Sequence, residues 1–204
     1  MAECSSGFSL TSIILVAVRL QSTPQVNGSW ITAELEDTVS LTCLVEAGES
    51  GKELQWFRNG GLVQLKEGNR VDQSSLCITP VSKEDNGVTF TCQLRTDASA
   101  NASVHLDVHF PPELAGTEPM SVEEDSDVVL TCNIHANPQV TVTWLQDGIE
   151  LDMTGRGYAL FQDGAEARLS ITKIKRSLHQ GTYSCETLSS KYGHRNKSFQ
   201  LTVQ

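Results

Sequence analysis

Basic residues are scarce in this chain. Lys and Arg number 15 against 25 Asp and Glu, a formal net charge of −10 over 204 residues. No Lys/Arg cluster forms the stripe that a phosphate backbone needs, which speaks against nucleic acid as a partner. Catalytic signatures are missing as well: there is no C-x-x-C, H-E-x-x-H, P-loop or G-x-S-x-G. The five histidines, His105, His109, His135, His179 and His194, are scattered. His105 and His109 are four apart on a strand-like segment, where that spacing does not converge on a metal. Glu123-Glu124-Asp125 reads as a solvated acidic turn, because calcium needs six to eight converging oxygens. No enzyme, cofactor, metal or small-molecule substrate is therefore expected. No run of about twenty apolar residues is present to cross a bilayer as a helix, and no long helical periodicity competes with strand patterning.

Cysteine, by contrast, is placed with a pattern. Cys43, Trp56 and Cys92 are followed about ninety residues later by Cys132, Trp144 and Cys185. A tryptophan about a dozen residues after one cysteine, and a second cysteine about fifty after the first, is the spacing of an immunoglobulin-type β-sandwich. There, strands B and F face each other across two sheets and a core tryptophan on strand C covers their crosslink. The expected fold is all-β: two tandem immunoglobulin-like sandwiches of the I or C2 type. A small core gains from such a bridge, about 4 kcal/mol for a loop near fifty residues.

Residues 8 to 18, FSLTSIILVAV, form an apolar run of eleven. Its length suits a signal-peptide core and is too short to span a membrane. The expected division is a leader at 1–22, cleaved near Ser22 or Thr23, a first domain at 23–109, a Pro-Pro linker at 110–113 and a second domain at 114–204. The alternative for the N-terminus is a disordered segment or a buried strand. Three N-x-S sequons, at Asn27, Asn101 and Asn196, agree with passage through the secretory pathway. The expected product is secreted, or stands at the cell surface if its anchor lies outside this sequence.

Period-two alternation sets the register. The inward sets expected in the first domain are Val39, Leu41, Cys43 and Val45; Leu54 and Trp56; Leu76, Ile78 and Val81; Phe90, Cys92 and Leu94; and Val104, Leu106 and Val108. The second domain repeats them with Val128, Leu130, Cys132 and Ile134; Val140, Val142 and Trp144; Leu169, Ile171 and Ile174; Tyr183 and Cys185; and Phe199, Leu201 and Val203. Tyr183, two residues before Cys185, suits a tyrosine corner. Phe90 takes that place in the first domain, so its Asp85-Asn86-Gly87 turn must be held by other bonds. Pro111 and Pro112 favour an extended path and a rod-like arrangement of the pair.

What remains for function is surface. Cys77 is the odd thiol; its register points it outward, either as an inert group or as a disulfide to a second chain. On the outward C–F–G face of the first domain stand Gln55, Phe57, Arg58, Gln93, Arg95, His105 and Asp107. Phe57, flanked by Gln55 and Arg95, is either an interface anchor or packs against a neighbouring-strand residue such as Leu62.

Cys-Trp-Cys twice, joined by Phe110-Pro111-Pro112, resembles the two-domain adhesion proteins of the immunoglobulin superfamily, such as the junctional adhesion group. The segments SSLCITPVSKEDNGVTFTC, KELQWFRNGGLVQLKEGNR and VHFPPELAG carry the likeness further. The resemblance implies disulfides Cys43–Cys92 and Cys132–Cys185. It also implies an epithelial surface glycoprotein that mediates cell–cell adhesion by self-association, as a homodimer, with a transmembrane helix and a short tail that this sequence does not contain. A ligand-binding immune-type receptor or secreted decoy, with a different protein as partner, is the competing function.

Overall fold

The computed structural model describes residues 17–46 and 50–204. Cys4 and the greater part of the expected leader lie outside them. The chain divides into two compact units, Met1–Val108 and His109–Gln204.

In the first unit the strands are β1 (Val18–Thr23), β2 (Trp30–Glu34), β3 (Val39–Val45), β4 (Leu54–Arg58), β5 (Gly61–Leu62), β6 (Gln73–Ile78) and β7 (Thr89–Leu94), with the start of β8 (Asn101–Gly116). One sheet has the order β1-β3-β6; the other runs β8-β7-β4-β5, with β2 joining at β8. Alternation along each strand sends one set of side chains into the gap between the sheets. Leu41 stands opposite Leu76 and Trp56 opposite Cys92, and all four are buried. The Trp56 indole N–H donates to Ser74 Oγ at 3.0 Å. Ser74 sits on the opposite sheet, so the bond satisfies two polar groups inside the core. Asn59-Gly60 closes β4 onto β5 with both residues at positive φ, the twist that a two-residue hairpin turn requires.

The second unit takes the end of β8 together with β9 (Met120–Val122), β10 (Val128–Asn137), β11 (Thr141–Gln146), β12 (Ile149–Glu150), β13 (Tyr158–Gln162), β14 (Glu166–Ile171), the short helix α1 (Arg176–His179), β15 (Gly181–Ser189) and β16 (Gly193–Val203). Its sheets run β8-β10-β14-β13 and β9-β16-β15-β11-β12, with β9 parallel to β16. Trp144, Leu169, Ile171, Tyr183 and Leu201 fill the space between them. A Cβ at Gly116 would stand 2.0 Å from the carbonyl oxygen of Thr131, so only glycine lets β8 end this close to β10.

Two segments of the expected division are strands. Residues 110–113, expected as a Pro-Pro linker with an extended path, lie within β8. Phe110 is 2 % exposed and its ring lies 4.7 Å from that of His135. Proline is tolerated in such a strand where its missing N–H leaves no ladder bond broken. At the N-terminus, Val18–Thr23 is a strand paired residue by residue with β3, from Val18 opposite Val45 to Thr23 opposite Ser40. Val18, Leu20 and Ser22 are half-buried and alternate with exposed Arg19, Gln21 and Thr23. The end of the expected leader thus has the period of an edge strand, and cleavage after Ser22 would remove all of it but Thr23.

The turns before β7 and β15 are held differently. In the second unit the Tyr183 hydroxyl donates to the carbonyl oxygen of His179 at 2.9 Å, and burial pushes the phenol's pKa upward. In the first, the Asp85 carboxylate accepts from the Ser82 N–H at 2.9 Å and from Arg58 Nη2 at 3.1 Å. Asn86 Oδ1 accepts from the Val108 N–H at 2.9 Å.

Tyr183→Phe removes the corner bond and leaves the His179 carbonyl buried; a loss of about 1–2 kcal/mol is expected, read as a lower melting temperature. A chain beginning at Pro24 should also melt below one beginning at Ala17, because it lacks the β1–β3 ladder. Equal melting temperatures would show that β1 adds nothing to the first unit.

Candidate protein-binding face

The outward surface of β8-β7-β4-β5 follows from ladder register. Across it Gln93 pairs with both Asn101 and Gln55, Thr91 with both Ser103 and Phe57, and Phe57 with Leu62. The middle is a row of hydroxyls: Thr91 Oγ1 and Ser103 Oγ are 2.7 Å apart. Leu62 is 52 % exposed, while Phe57 is half-buried. Phe57 therefore forms the inner part of an apolar spot whose outer part is Leu62.

Beside that spot lies a depression of about 150 Å³, lined by Glu53, Gln55, Leu62, Leu65, Arg70 and Arg95 among others. The structure brings Gln55 and Arg95 together here, with Leu62 of β5 in the same lining. Arg95 Nη1 is 2.8 Å from Glu53 Oε2. Both side chains are well exposed, so this ion pair orients the rim and adds little stability.

One surface aromatic escaped the sequence reading. Trp30, 47 % exposed, stacks on His105 with ring centroids 4.9 Å apart, and Thr89 Oγ1 lies 2.8 Å from His105 Nδ1. Its signal is the turn that precedes it: Asn27 and Trp30 bond to each other across Gly28-Ser29, which turns the indole out beside β8.

Cys77 is unpaired and exposed, opposite Ser40 on the other sheet, so it takes no part in this face. Asn27, Asn101 and Asn196 are all exposed. Among the described residues no group of His, Cys, Asp and Glu could hold a metal ion. The acidic turn at 123–125 is engaged otherwise: Asp125 pairs with Lys175, and Glu124 accepts from the Arg176 N–H. No described helix is long and apolar enough to cross a membrane. Cys43 is bonded to Cys92 and Cys132 to Cys185, each pair joining the two sheets of its unit.

The immunoglobulin I-set domain model matches residues 114–203, and the immunoglobulin domain model matches 31–104. The chain belongs to the immunoglobulin superfamily. Among curated proteins it is similar to transmembrane and immunoglobulin domain-containing protein 1. The mouse protein is 42 % identical over 165 residues, covering 81 % of this chain and 62 % of the relative. The human protein is 41 % identical over 169 residues, covering 81 % and 64 %. The chain thus spans under two thirds of the length of these relatives. Tandem immunoglobulin domains of titin superpose with a TM-score of 0.66 over 93 % of this chain and 96 % of theirs. At 17 % identity that likeness establishes the fold alone. In immunoglobulin terms β3 and β7 are strands B and F, and the face described above is the G-F-C-C′ sheet of the first domain. Both matching models belong to a superfamily of binding domains rather than enzymes.

Of the cysteines among the described residues, a folded, unreduced chain should present one reactive thiol to a water-soluble maleimide, Cys77. Labelling of the other four sulfurs without denaturant would contradict the two internal bridges.

Proposed function

We propose that this chain is the extracellular part of a cell-surface adhesion protein that acts by contact between copies of itself, through the G-F-C-C′ face of the first domain. The observation that carries the reading is the apolar spot at exposed Leu62 and half-buried Phe57, edged by Gln55 and Arg95. A small apolar centre within a polar rim is the anatomy of a specific protein interface. The named transmembrane relatives and the exposed sequons favour display outside the cell. Anchoring would come from sequence beyond this chain. A different protein as partner, the receptor or decoy reading, is the other outcome of the same test.

Charge separates the two. Each copy carries a formal −10, so self-contact works against like-charge repulsion and should strengthen as salt screens it. Contact with a basic partner should weaken instead.

Beads coated with the ectodomain should aggregate. Leu62→Ala and Phe57→Ala should each weaken that association by about tenfold, the range of a modest interface anchor. Leu62 lies on the exposed edge strand, so its variant reports on contact rather than folding. Dispersed beads that still bind other cells would replace self-adhesion with a heterophilic partner.

A further inference from the structure

Asn101 and Asn196 occupy the same place in their respective domains. Asn101 stands opposite Gln93, the residue after Cys92; Asn196 stands opposite Glu186, the residue after Cys185. The likeness extends to the third residue of each sequon. Ser103 Oγ is 2.7 Å from Thr91 Oγ1, and Ser198 Oγ is 2.7 Å from Ser184 Oγ. Each partner hydroxyl belongs to the residue before the strand-F cysteine. In both hairpins the asparagine is exposed and shares a strand face with that serine, the outward one. We propose that Asn101 and Asn196 are equivalent N-glycosylation sites, and that the glycan on Asn101 overhangs the Gln55–Arg95 side of the contact face and weakens self-association.

Position supplies the argument. Gln93 lies one strand from Asn101 and Gln55 lies two, about 10 Å at ordinary strand spacing. Phe57 and Leu62 lie further along, towards the C′ edge. A bulky, hydrated sugar rooted at Asn101 therefore covers Gln93, Gln55 and Arg95 before it reaches the apolar spot. The same group on Asn196 is rooted on the second domain's own F–G hairpin.

In the transfer step the Asn101 amide nitrogen bonds to the anomeric carbon of a lipid-pyrophosphate-linked oligosaccharide. The carbon–oxygen bond to pyrophosphate breaks, the lipid pyrophosphate departs with its electron pair, and the amide gives up one proton. In the folded hairpin both serine hydroxyls are tied across strands, and Asn101 Nδ2 donates to the Ala98 carbonyl at 2.9 Å. Transfer therefore precedes closure of the F–G hairpin and takes place during secretion.

The inference rests on the self-contact reading, and the experiment keeps the two apart. The ectodomain secreted from glycosylating animal cells is trimmed with an amidase in heavy-oxygen water, and its peptides are weighed. Asn101 and Asn196 should both be recovered as labelled aspartate; unmodified Asn101 overturns the proposal. In sedimentation equilibrium, trimmed protein and Asn101→Gln should each self-associate about tenfold more tightly than the intact glycoprotein, the order expected when a bulky group must be held aside. Asn196→Gln should match the intact protein. No gain on losing the Asn101 glycan overturns the proposal. If no form self-associates, self-contact is wrong, and hydroxyl-radical labelling decides whether the face is covered. Labelling of Arg95 should rise on trimming while that of Phe161 does not; unchanged labelling of Arg95 overturns the covering.

Discussion

The whole molecule depends on clamping two sheets face to face in units too small to do so comfortably by apolar burial alone. Each bridge joins strands B and F, which belong to different sheets, and closes a loop of 49 residues in the first unit and 53 in the second. In the chain-entropy account each closure removes about 4 kcal/mol of unfolded-state freedom. The tryptophan completes the clamp. Trp56 lies across the ladder from Cys92 and hydrogen-bonds Ser74 on the facing sheet. Trp144 lies across from Cys185 and meets the Phe199 ring at 5.7 Å. Once both sheets are held this way, every second side chain is committed to the core and the alternate set is free to vary.

That freedom makes the repeated features of the outward set informative. The two domains differ widely in sequence, yet the same bonds recur outside the core. Asn59 Oδ1 accepts from the Thr89 N–H at 2.9 Å, and Asp147 Oδ1 accepts from the Thr182 N–H at 2.8 Å; each ties its C–C′ hairpin to strand F. The hydroxyl pairs on strands F and G recur as well. A cross-strand pair of short polar side chains stabilises a ladder modestly and leaves it wet, which suits a surface kept open. The apolar spot at Leu62 has no such counterpart. In the second domain's C′ strand Glu150 faces Leu145 at the equivalent position, and the exposed apolar residue is its neighbour Ile149.

The core was legible in the sequence because alternation and Cys-Trp-Cys spacing report it directly. The inward positions Leu41, Leu54, Trp56, Leu76 and Leu106 are all buried. Legibility failed where one segment satisfies two patterns. Val18 to Thr23 closes the expected leader and also alternates as an edge strand, and composition alone cannot separate those roles. Phe110-Pro111-Pro112 reads as an extended linker, and in an extended path the same residues also continue a strand. Ser74 and Trp30 were missed for a different reason: the indole partner of Ser74 is eighteen residues away, and the neighbours of Trp30 depend on β2 meeting β8. Gln55, Phe57 and Arg95 of the proposed contact face are positions that strand alternation alone marks as outward. Which of its apolar residues is most exposed depends on the edge strand β5, whose two residues carry almost no periodic signal.

The E–F turns show why a shared fold does not predict shared chemistry. In the second domain the turn is anchored from within: Tyr183 reaches the His179 carbonyl, His179 Nδ1 accepts from the Lys175 N–H, and its Nε2 faces the Arg156 carbonyl at 3.0 Å. The first domain has a phenyl ring at the equivalent place, which can fill space but cannot bond, and the constraint moves outward to Asp85, Arg58 and Asn86. Arg58 lies on strand C, directly after Phe57. Arg58 alternates with Phe57, so it leaves strand C on the opposite side from the proposed contact spot, and its guanidinium is held at Asp85. The corner hydroxyl of the second domain is thus answered in the first by an ion pair that ties strand C to the E–F turn, so the same turn is fixed from the core in one domain and from its edge in the other.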